Sequence, residues 1–171
     1  MKKLVIGLVA TVVSIVANAA TCNWSSDGIA TYGTTELNSG YAAYFFETAI
    51  VSQEDAISAI AKGDFSFVSN GYTDGPVEEG EFYGTSTGYI NNQKIEGYLL
   101  IFDNAVASSA EHYYISDIGS GAIGGAGQAA NIYFDASATE TTSNWQSIPE
   151  PTSGLLLLLG VAGLALRRRR A

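Results

Sequence analysis

A small antiparallel β-sandwich with one short helix is the fold class predicted for the middle of this 171-residue chain. Two observations predict it. Runs rich in Tyr, Phe, Ile and Val recur between clusters of Gly, Asn, Asp and Ser, the composition of strands separated by tight turns. A single segment of helical period interrupts them, at residues 52–62.

The first strand is expected at residues 41–47, where Tyr41, Tyr44, Phe45 and Phe46 crowd together. The helix follows. Ser52 can cap it with Asp55 at the third helical position, Ile57, Ile60 and Ala61 share a face, Lys62 occupies the last turn and Gly63 terminates it. Strands are then expected at 64–69 and 80–83. Residues 93–103 form the longest, and Leu99 to Phe102 is apolar throughout, which suits a central strand covered on both faces. The strand at 111–117 alternates, with Tyr113 and Ile115 on one face and His112, Tyr114 and Ser116 on the other. It should pair with 93–103 as a hairpin through the polar loop 104–110. A last strand is expected at 130–135.

Both ends read as targeting segments flanking this body. Lys2 and Lys3 precede an apolar stretch at 4–16, and Ala17, Asn18 and Ala19 make an A-x-A site, the pattern of a signal peptide cleaved after Ala19. Signal helix and cut define residues 1–19; the body is residues 20–147. Cys22 lies near the cut, but Thr21 stands where a lipoprotein site needs a small residue. As the one cysteine it is either an inert thiol or an intermolecular link. At the other end, residues 154–166 are Leu, Val, Ala and Gly only. A helix over 153–166 would span about 20 Å against a hydrocarbon core of about 30 Å, a short transmembrane segment. Arg167, Arg168, Arg169 and Arg170 would stay on the cytoplasmic side and leave the body outside.

Pro149, Glu150 and Pro151 form a Pro-Glu-Pro triplet, Thr152 and Ser153 follow, and a Leu/Gly/Ala-rich helix and an arginine cluster come after them. In this order the segment 148–171 resembles the PEP-CTERM sorting signal of Gram-negative bacteria, with Pro149, Glu150 and Pro151 matching its recognition triplet. The resemblance implies recognition by exosortase, a membrane-embedded cysteine transpeptidase, with cleavage near the triplet and transfer to the cell surface or extracellular matrix. It also implies an association with exopolysaccharide and biofilm. The two prolines lack backbone donors and bias their neighbours to extended geometry, so the triplet breaks the helix and presents a strand-like peptide at the membrane face.

The body is strongly acidic. Between Ala20 and Ile148 sixteen Asp and Glu face two Lys, a charge of −14, because the arginines all lie in the tail. Such a surface repels nucleic acid and anionic lipid.

Specific chemistry is thin. Glu47, Asp103 and Asp135 each follow an aromatic run. They read as strand ends that open turns; a shared Ca²⁺ or catalytic cluster would require all three on one sheet edge. Gly119, Gly121 and Gly124 spell G-x-G-x-x-G, but no helix can follow to hold a pyrophosphate, so the segment reads as a flexible loop. Asp74, Glu78, Glu79 and Glu81 make an acidic loop without a calcium-loop pattern. His112 is the one histidine and no G-x-S-x-G elbow accompanies it. No metal or cofactor is expected.

The expectation is therefore a non-enzymatic structural or matrix protein. Its partners are Sec-type export machinery, signal peptidase and exosortase; it sits in the inner membrane through 153–166 until processed, then at the cell surface or in the matrix. The alternative is a lectin-like module for exopolysaccharide, marked by exposed tyrosines lining a groove. A hydrolase ranks third and would need a pocket joining His112 to two acids.

Overall fold

The computed structural model describes residues 20–73, 79–125 and 128–149. The expected signal helix and hydrophobic helix lie outside them. The fold is mainly β with one α-helix among the described residues, as expected, and it is built in layers.

The larger sheet has the order β10 (Gln146–Ser147), β7 (His112–Ile115), β6 (Lys94–Phe102), β4 (Ala42–Glu47), with β8 (Gly119–Ala122) also on β6. The expected hairpin is present: Leu100, Ile101 and Phe102 pair with Ile115, Tyr114 and Tyr113. β7 and β8 divide one edge of β6 between them, β8 taking Lys94 to Gly97. Ser116 joins the halves, its N–H donating to Leu99 O and its Oγ accepting from Leu99 N–H, both at 2.9 Å. The glycine segment after Ile118 is thus a strand, not a flexible loop, because the free edge of β6 supplies its main-chain partners.

The smaller sheet has the order β5 (Tyr83–Tyr89), β1 (Ala20–Asp27), β9 (Ala130–Asp135). β1 was not expected and is its central strand. Its pairing with β9 is parallel, so the sheet is mixed rather than purely antiparallel. β5 begins where a strand at 80–83 was expected to end. The cause is Gly84, which lies directly beneath the Trp24 indole, where any Cβ would overlap the ring. A short ribbon, β2 (Thr31–Tyr32) with β3 (Thr35–Glu36), completes the strands.

The two sheets pack face to face over one core. Cys22, Trp24, Ile132 and Phe134 from the smaller meet Phe45, Ile95, Leu99, Ile101 and Tyr114 from the larger. Trp24 stacks on Phe45 with centroids 5.8 Å apart. The opposite face of the larger sheet carries Phe46, Tyr98, Leu100, Phe102 and Tyr113, and a second core forms there. That accounts for the unbroken apolar run at 99–102: β6 is buried on both faces. The alternation along β7 follows the same division, Tyr113 and Ile115 toward the second core and Tyr114 toward the first.

Helix α1 (Gln53–Ala61) lies over the second core. Ser52 caps it as expected, its Oγ accepting from Asp55 N–H at 3.1 Å, and Gly63 follows with φ +70°. The buried side chains are Ala56 and Ile60 with Ile57 beside them, while Ala61 faces solvent. The strand expected at 64–69 is instead a 3-10 helix at Ser66–Asn70. Asp64 Oδ1 accepts from Ser66 N–H at 3.0 Å, which curls the chain so that Phe65, Phe67 and Val68 reach the second core together.

Candidate functional site

The described chain ends at the edge of the larger sheet, where the triplet begins. Trp145 is the last buried side chain before it, 6 % exposed. Its Nε1–H donates to Thr139 O at 3.0 Å, and its ring meets Tyr32 edge-on at 5.0 Å. β10 then pairs Gln146 with Tyr113 and Ser147 with His112. Tyr113 Oη donates to Gln146 Oε1 at 2.6 Å, and Ile148 N–H donates to Glu111 O at 2.8 Å. Pro149 comes next, exposed at the margin of an open cavity of about 440 Å³ that Phe65, Ser108, Glu111, His112 and Ser147 help to line. The main-chain pairing of the body therefore runs to the residue before the triplet. Glu150, Pro151 and Arg167, Arg168, Arg169 and Arg170 lie outside the described residues, as do Ala17 and Ala19.

His112 stands at this cavity. Its Nδ1 is 2.8 Å from Asp103 Oδ2, and Asp103 Oδ1 accepts from Glu111 N–H at 2.9 Å. Asp103 thus fixes both the ring and the hairpin loop. His112 is bonded to one acid, not two, and no hydroxyl among the described residues is hydrogen-bonded to it.

A second polar cluster lies inside the fold. Tyr89 Oη donates to Glu47 Oε1 at 2.6 Å and is 2.6 Å from Ser86 Oγ, and the Tyr72 phenol shares Glu47. Burial first, and the hydrogen bond to Glu47 second, push the Tyr89 phenol far above its ordinary value of 10.0. Cys22 adjoins this cluster, fully buried and free. Burial, reinforced by the charge of Glu47, raises its thiol to about 11. At neutral pH the thiol is protonated and enclosed, which shields it from an intermolecular disulfide in the folded domain.

Glu47, Asp103 and Asp135 do not converge. β4 and β6 are antiparallel, with Ala42 opposite Phe102 and Glu47 opposite Gly97. Glu47 and Asp103 are therefore at opposite ends of the pair, about 20 Å apart. Asp135 opens a turn, its Oδ1 accepting from Ser137 N–H at 2.9 Å. The side chain and N–H of Ser137 hold its carboxyl below the usual range. Of the acidic loop, Glu79 and Glu81 are exposed, while Asp74 and Glu78 lie outside the described residues. Among the described residues no group of three His, Cys, Asp or Glu is placed to hold a metal ion, and no helix is long and apolar enough to cross a membrane.

Of the ten tyrosines, Tyr89, Tyr98, Tyr113 and Tyr114 are buried, Tyr32, Tyr41, Tyr44 and Tyr72 half-buried, and Tyr83 and Tyr133 are 64 % and 67 % exposed. Both exposed rings belong to the smaller sheet, whose central strand the expectations above missed. Its signal was present: Ala20, Cys22 and Trp24 alternate with Thr21, Asn23 and Ser25.

Residues 147–170 match the family model of the PEP-CTERM protein-sorting motif. No curated protein and no solved structure matches the chain. The sorting motif thus begins inside β10, on Ser147, which pairs with His112.

Proposed function

We propose that this chain is an exported, surface-sorted structural or matrix protein, made as a precursor and trimmed at both ends. The observation that carries the proposal is the sorting motif at 147–170, placed where the body's last strand ends. Residues 1–19 act as the signal peptide, cut after Ala19 through the Ala17-x-Ala19 site. Residues 20–147 are the delivered domain. Residues 148–171 are the sorting signal, in which 153–166 hold the chain in the inner membrane and Arg167 to Arg170 stay inside.

The edge position of the triplet supports this division. Ile148 N–H makes its bond to Glu111 O, and Pro149, with its fixed φ and its bias toward extended geometry, carries the chain outward from there, so the following residues pass to the membrane-embedded transpeptidase. With no spacer between Ile148 and Pro149, the domain must rest close to the membrane surface while it is processed. Its net charge of −14 keeps it from adhering to anionic lipid and favours solubility after release.

A non-enzymatic role is supported by how the polar clusters are spent. Tyr89, Ser86 and Glu47 satisfy one another inside the fold, and Asp103 holds His112 to its own hairpin. The test is replacement of the triplet, Pro149→Ala with Glu150→Ala and Pro151→Ala. The expected result is a precursor retained in the inner-membrane fraction while the parent chain reaches the surface or medium. Equal release of both would refute the proposal.

A further inference from the structure

The outward face of the smaller sheet has an organisation that its structural role does not require. Inward, β5, β1 and β9 present Gly84 and Ser86, Cys22 and Trp24, Ile132 and Phe134. Outward they present two ordered rows. In one, Tyr83 lies opposite Ser25 and Ser25 opposite Tyr133, so the two exposed tyrosines flank a small central residue. Two strand spacings separate them, about 10 Å. In the next row Thr85, Asn23 and Asn131 lie side by side. Thr85 Oγ1 donates to Asn23 Oδ1 at 3.1 Å, and Asn23 Nδ2 donates to Asn131 Oδ1 at 3.0 Å.

From this arrangement we infer that the face binds an extended, uncharged polysaccharide laid across the three strands, with sugar rings over Tyr83 and Tyr133 and hydroxyls on the Asn23–Asn131 row. A pyranose ring has one apolar C–H face and a rim of hydroxyls. A phenol ring accepts the first, and fixed amides and hydroxyls accept the second. The separation of the tyrosines is about that of alternate rings in an extended β-linked chain. Ser25 between them leaves room for the intervening ring. The linked amide row is mounted on strands rather than loops, so little ordering is needed when ligand arrives.

Charge selects among polymers. The two rows carry no ionised side chain, although the body as a whole carries −14. Where the face does meet charge, the sign is negative: Asp27 and Asp135 lie in register at the end of β1 and β9, both exposed. An anionic polymer is repelled there and a neutral one is not. The inference rests on this face alone and stands independently of how the tail is processed.

The test is affinity electrophoresis of the purified exported protein through gels containing β-1,4-linked mannan, mixed-linkage β-glucan or alginate, with a pull-down on microcrystalline cellulose. Sedimentation velocity runs in parallel. The expected result is retention by at least one neutral polymer and none by alginate. Tyr83→Ala and Tyr133→Ala should each weaken that retention about tenfold, the order of one aromatic contact. The double variant should abolish it while keeping the parent's cooperative thermal unfolding transition, and Tyr83→Phe with Tyr133→Phe should keep most of it. Failure of all three neutral polymers would overturn the inference. So would retention that the double variant preserves, or stronger retention by alginate. A concentration-dependent dimer lost in the double variant, without glycan retention, would assign the face to a second copy of the chain instead.

Discussion

Replacing Trp145 by Ala should loosen the C-terminal edge of the fold more than its place near the end of the body suggests. The indole is 6 % exposed and contacts Tyr32, Tyr41 and Tyr114, at centroid distances of 5.0, 6.3 and 5.9 Å. Truncating such a side chain removes its transfer energy and leaves a cavity, a loss of about 4 kcal/mol. For a body of about 130 residues, unfolding entropy near the transition is about 0.27 kcal/mol/K, so the melting temperature should fall by about 15 °C. Calorimetry of the purified exported protein measures this. Trp145→Phe separates packing from bonding, since it keeps much of the ring and removes the Nε1–H that Thr139 O accepts at 3.0 Å. It should cost about 1 to 2 kcal/mol. A fall below about 4 °C for Trp145→Ala, corresponding to about 1 kcal/mol, would refute the claim that this ring anchors the edge strand beside the triplet.

Gly84→Val should destabilise the fold by about 3 kcal/mol, because the added side chain must displace the buried Trp24 indole; an unchanged denaturation midpoint would contradict the packing of β5 on β1. Cys22 should resist maleimide in the native protein at pH 8 and react only on unfolding, since it is buried and its thiol is raised to about 11; rapid native labelling would disprove its burial. Stability should also fall in alkali. Cys22 and Tyr89 ionise above their ordinary values of 9.0 and 10.0 in the fold, so below pH 9 both states hold these protons and stability is intact. As pH rises past 9 the unfolded chain releases them first and the folded state loses ground, which urea titrations between pH 8 and 11 should record.

Those predictions draw on positions that differ in how plainly the sequence announces them. The strand at Ala130–Asp135, the β6–β7 hairpin and the Ser52 cap were legible because each rests on local chemistry: alternation, a polar loop, a hydroxyl three residues before an acid. The segment at 64–69 misled because Phe65, Phe67 and Val68 have strand composition, while the Asp64 carboxylate supplies a local turn that composition does not reveal. β5 was missed for the opposite reason. Its Gly, Thr and Ser residues look like a loop, and only the distant indole of Trp24 explains them. β1 carried an alternating pattern overshadowed by the adjoining signal segment. The parallel pairing of β1 with β9 joins residues more than a hundred positions apart, which no local pattern specifies.

Site legibility follows the same line. The sorting motif is a contiguous peptide read by an external enzyme, so sequence alone displays it. The Tyr83 and Tyr133 pair exists only after β1 brings β5 and β9 to either side of Ser25. Glu47, Asp103 and Asp135 read in the sequence as strand ends that open turns, and the shared cluster that was the other reading is ruled out by the antiparallel run of β4 and β6, which holds Glu47 and Asp103 apart.

Intact-mass analysis of the exported protein, from cells with and without the exosortase, tests the central claim most directly. The account predicts a product in the competent cells lacking residues 1–19 and lacking everything beyond the region of Pro149 to Pro151, with all four terminal arginines gone. Cells without the enzyme should hold a species trimmed only at its N-terminus. A mature surface product that still carries Arg167 to Arg170 in the competent cells would contradict it.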